Sequence, residues 1–215
     1  MPELIYRVSQ VDVFRSWEDD PDADMNWLIK ELTGKVETPD MKRGTAFHAA
    51  LEKLGTGEVE RIDSQGHTFI FDGDFELPAF PVREIRKSKD YGGITVSGKV
   101  DAINGHHVLD HKAATWFDAE RYFKKYQWRY YLDIFGADRF TWYVWEMQEA
   151  DTTDDSRVFV VRDLHVLEQY RYPHLERDCR DLALRLKSFA EQHLVKPGPQ
   201  SIVASLEITD EDIAS

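Results

Sequence analysis

Ile94-Thr95-Val96-Ser97-Gly98-Lys99-Val100-Asp101-Ala102-Ile103-Asn104-Gly105-His106-His107-Val108-Leu109-Asp110-His111-Lys112-Ala113 is the stretch on which the fold turns. Two apolar-rich runs, Ile94 to Ile103 and His107 to Ala113, flank Asn104-Gly105. Asn-Gly between strand-like runs is the strongest short hairpin signal, because it supplies the left-handed turn conformations that match strand twist. Alternation along the second run puts Val108, Asp110 and Lys112 on one face and Leu109, His111 and Ala113 on the other. The hairpin therefore sets Asp101, near the end of one strand, beside Asp110 and Lys112 on its neighbour. Two carboxylates and an ammonium so placed can hold a divalent cation beside a phosphate.

Outward from the hairpin, the apolar period changes repeatedly. Upstream, Ser9 to Asp12 reads as a helix start with Ser9 as N-cap. Asp24 to Thr33 reads as a helix ended by Gly34, and Glu37 to Arg43, with Pro39, as a polar connection. Arg43 to Leu54 carries Phe47, Ala50, Leu51 and Leu54 at helical spacing and stops at Gly55-Thr56-Gly57. Strands are expected at Thr68–Phe71, Phe75–Leu77 and Val82–Arg86. Downstream, a single helix is expected from about Phe117 to Ile134, ended by Gly136. The apolar runs Phe140–Met147 and Arg157–Val161 follow, joined by the acidic loop Asp151–Asp155. A last helix spans His165 to His193, with Pro173 as its start or kink, and Pro197-Gly198-Pro199 closes the fold. This order implies an α/β (α+β) architecture: a mixed central sheet flanked by helices. It divides one domain (1–200) into a helical part (1–57), a sheet-and-helix part (58–163) and a C-terminal helix (164–196). The acidic tail, 201–215, is expected to be mobile.

Composition narrows the classes. The chain has 215 residues, with six Trp, nine Tyr and twelve Phe, enough for one real core and too aromatic for wholesale disorder. The single cysteine, Cys179, excludes an intramolecular disulfide framework, a zinc ribbon and a four-cysteine iron–sulfur cluster, and is expected to pack in the last helix. No leader or bilayer-length apolar run is apparent, so a cytoplasmic protein without membrane contact is expected. The formal charge of −13 argues against general coating of nucleic acid. Basic clusters nevertheless flank the hairpin at Lys42-Arg43, at Arg83, Arg86, Lys87 and Lys89, and at Arg121, Lys124, Lys125 and Arg129.

An acid-x-lysine triplet means little alone, since about one is expected by chance in a chain this long. Asp40-Met41-Lys42 is such a triplet, preceded even by proline, and reads as a decoy because no upstream strand brings it a second acid. Asp110-His111-Lys112 differs in lying on a strand beside Asp101. An ion pair on an edge strand remains the plain alternative for those residues. Two further features bear on the choice. Gly44-x-x-x-His48 opens the convincing helix, and Gln127 and Tyr131 share one face of the helix after the hairpin.

The ordered set Gly44-x-x-x-His48, Gly98-x-x-Asp101, Asp110-x-Lys112 and Gln127-x-x-x-Tyr131 resembles the RecB-like branch of the PD-(D/E)XK nucleases, over about residues 44–131. Arg7-Val8-Ser9-Gln10-Val11 resembles the serine-containing segment that often opens such domains. The resemblance implies a restriction-endonuclease-like core and a metal-dependent deoxyribonuclease acting on DNA, most simply an exonuclease of phage-type recombination, replication or repair. It implies that His48, Asp101 and Asp110, with the carbonyl of His111, bind magnesium, for which manganese should substitute. Lys112 then orients or deprotonates the attacking water, so the catalytic residues are Asp101, Asp110 and Lys112. Gln127 and Tyr131 are implied to contact the DNA backbone or to brace the site. Glu84 is a weaker outer-shell or second-metal candidate, and equally a surface glutamate. With one cysteine the chain resembles the compact members that have no iron–sulfur cluster. His106, His107 and His111 are expected to be packed or solvated as side chains.

Two rivals remain at this level. One is a structure-selective endonuclease of the same fold; the other is a non-catalytic acidic protein that mimics DNA. The tail from Ile202 to Ile213 is a candidate docking segment for a recombinase or single-strand annealing protein, and a homo-oligomer is compatible with the chemistry.

Overall fold

Strand β5 (Ile94–Asn104) is the hinge of the architecture. Around it, in chain order, lie β1 (Leu4–Arg7), α1 (Val8–Asp19), α2 (Met25–Thr33), α3 (Pro39–Lys53), β2 (Arg61–Ser64), β3 (His67–Phe71) and β4 (Val82–Asp90). After it come β6 (His107–Ala114), α4 (Ala119–Lys124), α5 (Gln127–Phe135), β7 (Arg139–Glu149), β8 (Arg157–Tyr170) and α6 (Leu175–His193). The structure is a computed structural model that describes residues 4–34, 38–53, 60–75, 82–150 and 157–194. The acidic tail, Pro197-Gly198-Pro199, Gly55-Thr56-Gly57, the Asp151–Asp155 loop and most of the expected Phe75–Leu77 strand lie outside those residues.

The strands form one mixed sheet in the order β1-β5-β6-β7-β8-β3-β2, with β4 also on β5. The β1–β5, β6–β7 and β3–β8 pairs are parallel, and the remaining pairs are antiparallel. Strand β7 shows why both sheet faces are covered. Its even residues Phe140, Trp142 and Val144 join α1, α2, α5 and α6 in one core, while Trp145 and Met147 join α3, β2 and β3 in another. A run apolar on both faces is what a central strand under two helical layers requires. The expected fold class, a mixed α/β domain with a central mixed sheet flanked by helices, is the one observed.

Several local expectations are corrected. Helix α1 starts at Val8, capped by Arg7, whose amide donates to the Gln10 side chain at 2.9 Å; Ser9 lies inside the helix. Pro39 does not mark a connection but opens α3, where its missing N–H costs nothing. The β5–β6 turn residues are Gly105 and His106, with Asn104 still paired to His107 and Gly105 at φ 57°. The expected long helix after the hairpin is two, broken where Lys125 adopts extended dihedrals. Strand β8 continues to Tyr170, so the segment from His165 begins as strand and the last helix starts only at Leu175, after Pro173. Pairing with β7 as far as Tyr170 holds that segment extended, a long-range influence that local periodicity does not carry. Strands β1 and β2 come from runs too short to signal themselves. Cys179 is buried in α6 as expected.

Candidate active site

The site grows from a fork in the sheet. Strand β4 follows one edge of β5 from Thr95 to Ile103. On the opposite edge β1 pairs with Ile94–Ser97 and β6 with Ala102–Asn104 only. Gly98 to Asp101 therefore have no ladder partner on that edge, and β5 and β6 splay apart at the point where Asp101 and Asp110 would next have paired. A side chain takes over from the ladder: the His111 amide donates to Asp101 Oδ2 at 2.7 Å. Splaying opens room between the two strands beside the carboxylates.

Helix α3 roofs the opening. Its apolar residues Ala46, Phe47, Ala50 and Leu51 are buried in the second core, which fixes the helix rotation and leaves His48 at the boundary. His48 Nδ1 lies 3.2 Å from Asp101 Oδ1. The resulting cleft, about 700 Å³, is lined among others by Gly44, His48, Glu52, Glu84, Lys99, Asp101 and Lys112. His48, Asp101 and Lys112 thus face one space, with Asp110 immediately behind, 2% exposed. Lys112 Nζ sits 2.5 Å from Asp110 Oδ2 and 5.2 Å from the centre of the Trp142 ring. The decoy triplet lies in the first turn of α3, where Asp40 pairs with Arg43 at 3.0 Å.

The two carboxylates are tuned apart. Burial drives the Asp110 carboxyl up to about 6, helped by Asp101 and opposed by the Lys112 ammonium. Burial acts the same way on Asp101, but the hydrogen bond and charge of His48, with Lys112 and the His111 amide, outweigh it and hold Asp101 at about 2. His48 is raised: burial would lower it, and its bond to Asp101 prevails. Lys112 is raised as well, its burial overcome by Asp110 and Asp101.

Behind the carboxylates stands α5. Gln127 Nε2 lies 3.4 Å from Asp110 Oδ1 and donates to Tyr131 Oη at 3.1 Å, and Tyr131 Oη donates to the Lys99 carbonyl at 2.9 Å. Both side chains are buried, at 7% and 5% exposure. Their contacts run to Asp110 and to the unpaired β5 backbone. The Tyr131 ring also explains Gly98, since a Cβ there would meet Tyr131 Cε1 at 2.9 Å. His111 reaches the site by its backbone; its Nδ1 accepts from Trp145 Nε1 at 3.1 Å. His106 and His107 contact the Gly136 carbonyl and the Thr141 hydroxyl.

One supporting residue escaped the sequence reading. Asp12, buried on the apolar face of α1 beside Val8 and Val11, accepts the Tyr126 amide at 2.7 Å and lies 3.5 Å from Lys125 Nζ. It caps α5 from 114 residues away and accounts for the helix break at Lys125. The signal was an acid within an apolar helical stripe, which is rare without a partner. Lys99 was also missed, although alternation from Asp101 places it on the cleft side.

Among the described residues, no three His, Cys, Asp or Glu side chains close around one point as an ion would require. The donor chemistry nevertheless suits a hard divalent cation: two carboxylates and an imidazole lie around one cleft, and the buried Asp110 Oδ2 is held by the Lys112 ammonium alone. The His48–Asp101 contact must open for all three to turn on a common ion.

No family model and no curated protein matches the sequence. Solved structures similar in backbone course include that of SSO0001, at 14% identity and TM-score 0.49, covering 88% of this chain and 78% of that one. An alkaline exonuclease (LHK-Exo) from Laribacter hongkongensis is similar at 13% identity and TM-score 0.43, covering 94% of each chain. LHK-Exo in complex with dAMP is similar at 14% identity and TM-score 0.38, covering 86% of this chain and 91% of that one. Among the described residues no helix is long and apolar enough to cross a membrane.

Proposed function

We propose that this chain is a metal-dependent nuclease that hydrolyses phosphodiester bonds in DNA, acting from strand ends as an exonuclease. The observation that carries the reading is the sheet fork, where Asp101, Asp110, Lys112 and His48 meet in one cleft and the two carboxylates are driven to opposite ends of their range.

Asp101, Asp110 and His48 would hold magnesium or manganese. The bound ion supplies Lewis-acid polarisation of a phosphoryl oxygen and a more acidic water. Lys112, a half-buried ammonium between the carboxylates and the open cleft, steadies the attacking water and the negative charge that grows on the phosphate. Gln127 fixes the Asp110 carboxylate, and Tyr131 fixes the backbone at Lys99. A DNA mimic would display its acids to solvent, whereas Asp110 is buried against a lysine.

Purified protein should shorten end-labelled linear DNA in magnesium or manganese and leave covalently closed circles intact. Asp110→Ala and Lys112→Ala should abolish cleavage while far-UV circular dichroism stays native. Cleavage surviving both changes overturns the assignment, and cutting of closed circles moves it to an endonuclease.

A further inference from the structure

Strand β4 carries a basic run, and the structure divides it between two faces. Lys87 Nζ lies 5.4 Å from the Phe135 ring centre, and Lys89 pairs with Asp133 at 3.1 Å and Glu176 at 3.0 Å, so both are committed to α5 and α6. Arg86 is not. It is exposed, has no ion-pair partner among the described residues, and stands directly opposite Lys99 in the β4–β5 register. Directly opposed residues of an antiparallel pair share a face, with Cβ atoms about 4.5–5.5 Å apart, and like charges so placed repel.

That face is the cleft face. Lys99 lines the cleft with Asp101, two residues or about 6.7 Å further along the strand. Glu84, between the β4 residues that pair with Ala102 and Val100, lines it as well and is ion-paired with Lys99. Glu84 also holds φ at 59° within a strand, a conformation that disfavours side chains bearing a Cβ. Glu84 neutralises Lys99 alone, so Arg86 leaves an exposed positive charge without an ion-pair partner among the described residues at the rim of the cleft.

We propose that Arg86 and Lys99 form a ledge that binds a backbone phosphate of the nucleic-acid strand, next to the phosphate presented to Asp101 and Asp110. Glu84 is the internal counterion that occupies Lys99 until that phosphate displaces it. The ledge rests on the nuclease reading and adds to it the residues that register the strand.

The test is the salt dependence of binding to a fluorescein-labelled single-stranded oligonucleotide, read by anisotropy in EDTA between about 50 and 200 mM KCl. Each phosphate contact contributes about 0.7 to the slope of log affinity against log salt on a single strand. Because both side chains meet one phosphate, Arg86→Ala should lower the slope by part of that ~0.7 and the double change with Lys99→Met by the whole of it. Glu84→Gln should tighten binding by freeing Lys99. An unchanged slope in the double variant overturns the ledge, as does weaker binding by Glu84→Gln. Cleavage of the same oligonucleotide by unmodified protein in manganese, run in parallel, tests the nuclease reading separately.

Discussion

Gly98→Ala isolates the contact that joins the strand fork to its supporting helix. Gly98 is buried, and an added Cβ would lie 2.9 Å from Tyr131 Cε1, 3.1 Å from Cδ1 and 3.3 Å from Val8 Cγ2. Carbon pairs settle at about 3.5–4.0 Å, so something must give by roughly half an ångström. Tyr131 cannot swing clear, being 5% exposed, stacked on Phe140 and hydrogen-bonded through its hydroxyl to Gln127 and the Lys99 carbonyl. Overpacking of this kind costs about 1–3 kcal/mol. Alanine recovers about 0.5–1 kcal/mol by ordering the unfolded chain less expensively than glycine does. The net loss is about 0.5–2 kcal/mol, equivalent to a Tm lower by roughly 1–8 °C for a chain of this size. Because the displaced backbone carries Asp101 three residues on, cleavage should fall by more than stability does, on the order of tenfold. The assay is a double-mutant cycle with Tyr131→Leu, followed by thermal circular dichroism and by cleavage of a labelled oligonucleotide. In the Tyr131→Leu background the penalty of Gly98→Ala should shrink or change sign. An equal penalty in both backgrounds refutes the reasoning, since Tyr131 would not be what excludes the methyl group.

Asp12→Ala should cost about 1–2 kcal/mol in urea unfolding, because it removes a buried cap from the α5 N-terminus; Asp12→Asn should recover part of that loss. Metal uptake should be proton-linked, because the Asp110 carboxyl, held up to about 6, must ionise before it can ligate. Apparent manganese affinity by calorimetry should rise about fivefold from pH 5 to 6 through Asp110 and go on rising as His48, also raised, sheds its proton, whereas a flat profile would count against Asp110 as a ligand. The same raised value makes the metal-free fold bind a proton that the unfolded chain releases at about 4. Its contribution to stability should therefore decline as pH rises from about 4 to 6. Cys179, whose thiol is driven far up by burial, should resist a thiol reagent in the native protein and react only on unfolding.

The hairpin strands and β7 were legible because each is long and apolar, and the candidate site residues lie within the hairpin or on α3 and α5. Asp101, Asp110 and Lys112 are separated by one tight turn, so local rules sufficed to place them together. His48 was legible as a residue at the margin of an apolar helical stripe. The errors share one cause. Local periodicity suggested a helix from His165, but pairing with β7 holds that segment extended to Tyr170. It also suggested one helix from Phe117 to Ile134, but Asp12 takes the Tyr126 amide and breaks it. In both places a partner distant in sequence outweighs a weak local preference.

By itself, the sequence determined the mixed α/β architecture, the hairpin and the identity of its charged residues, because hydrophobic period and turn chemistry are written within a few consecutive residues. Only the tertiary structure decided that β5 parts from β6 at Asp101, that Tyr131 requires a glycine at position 98, and that Asp110 is buried while Asp101 is held ionised. Those are properties of surroundings assembled from α1, α3, α5 and the sheet. A carboxylate's burial and partners depend on that assembly, and no segment of the chain encodes them alone.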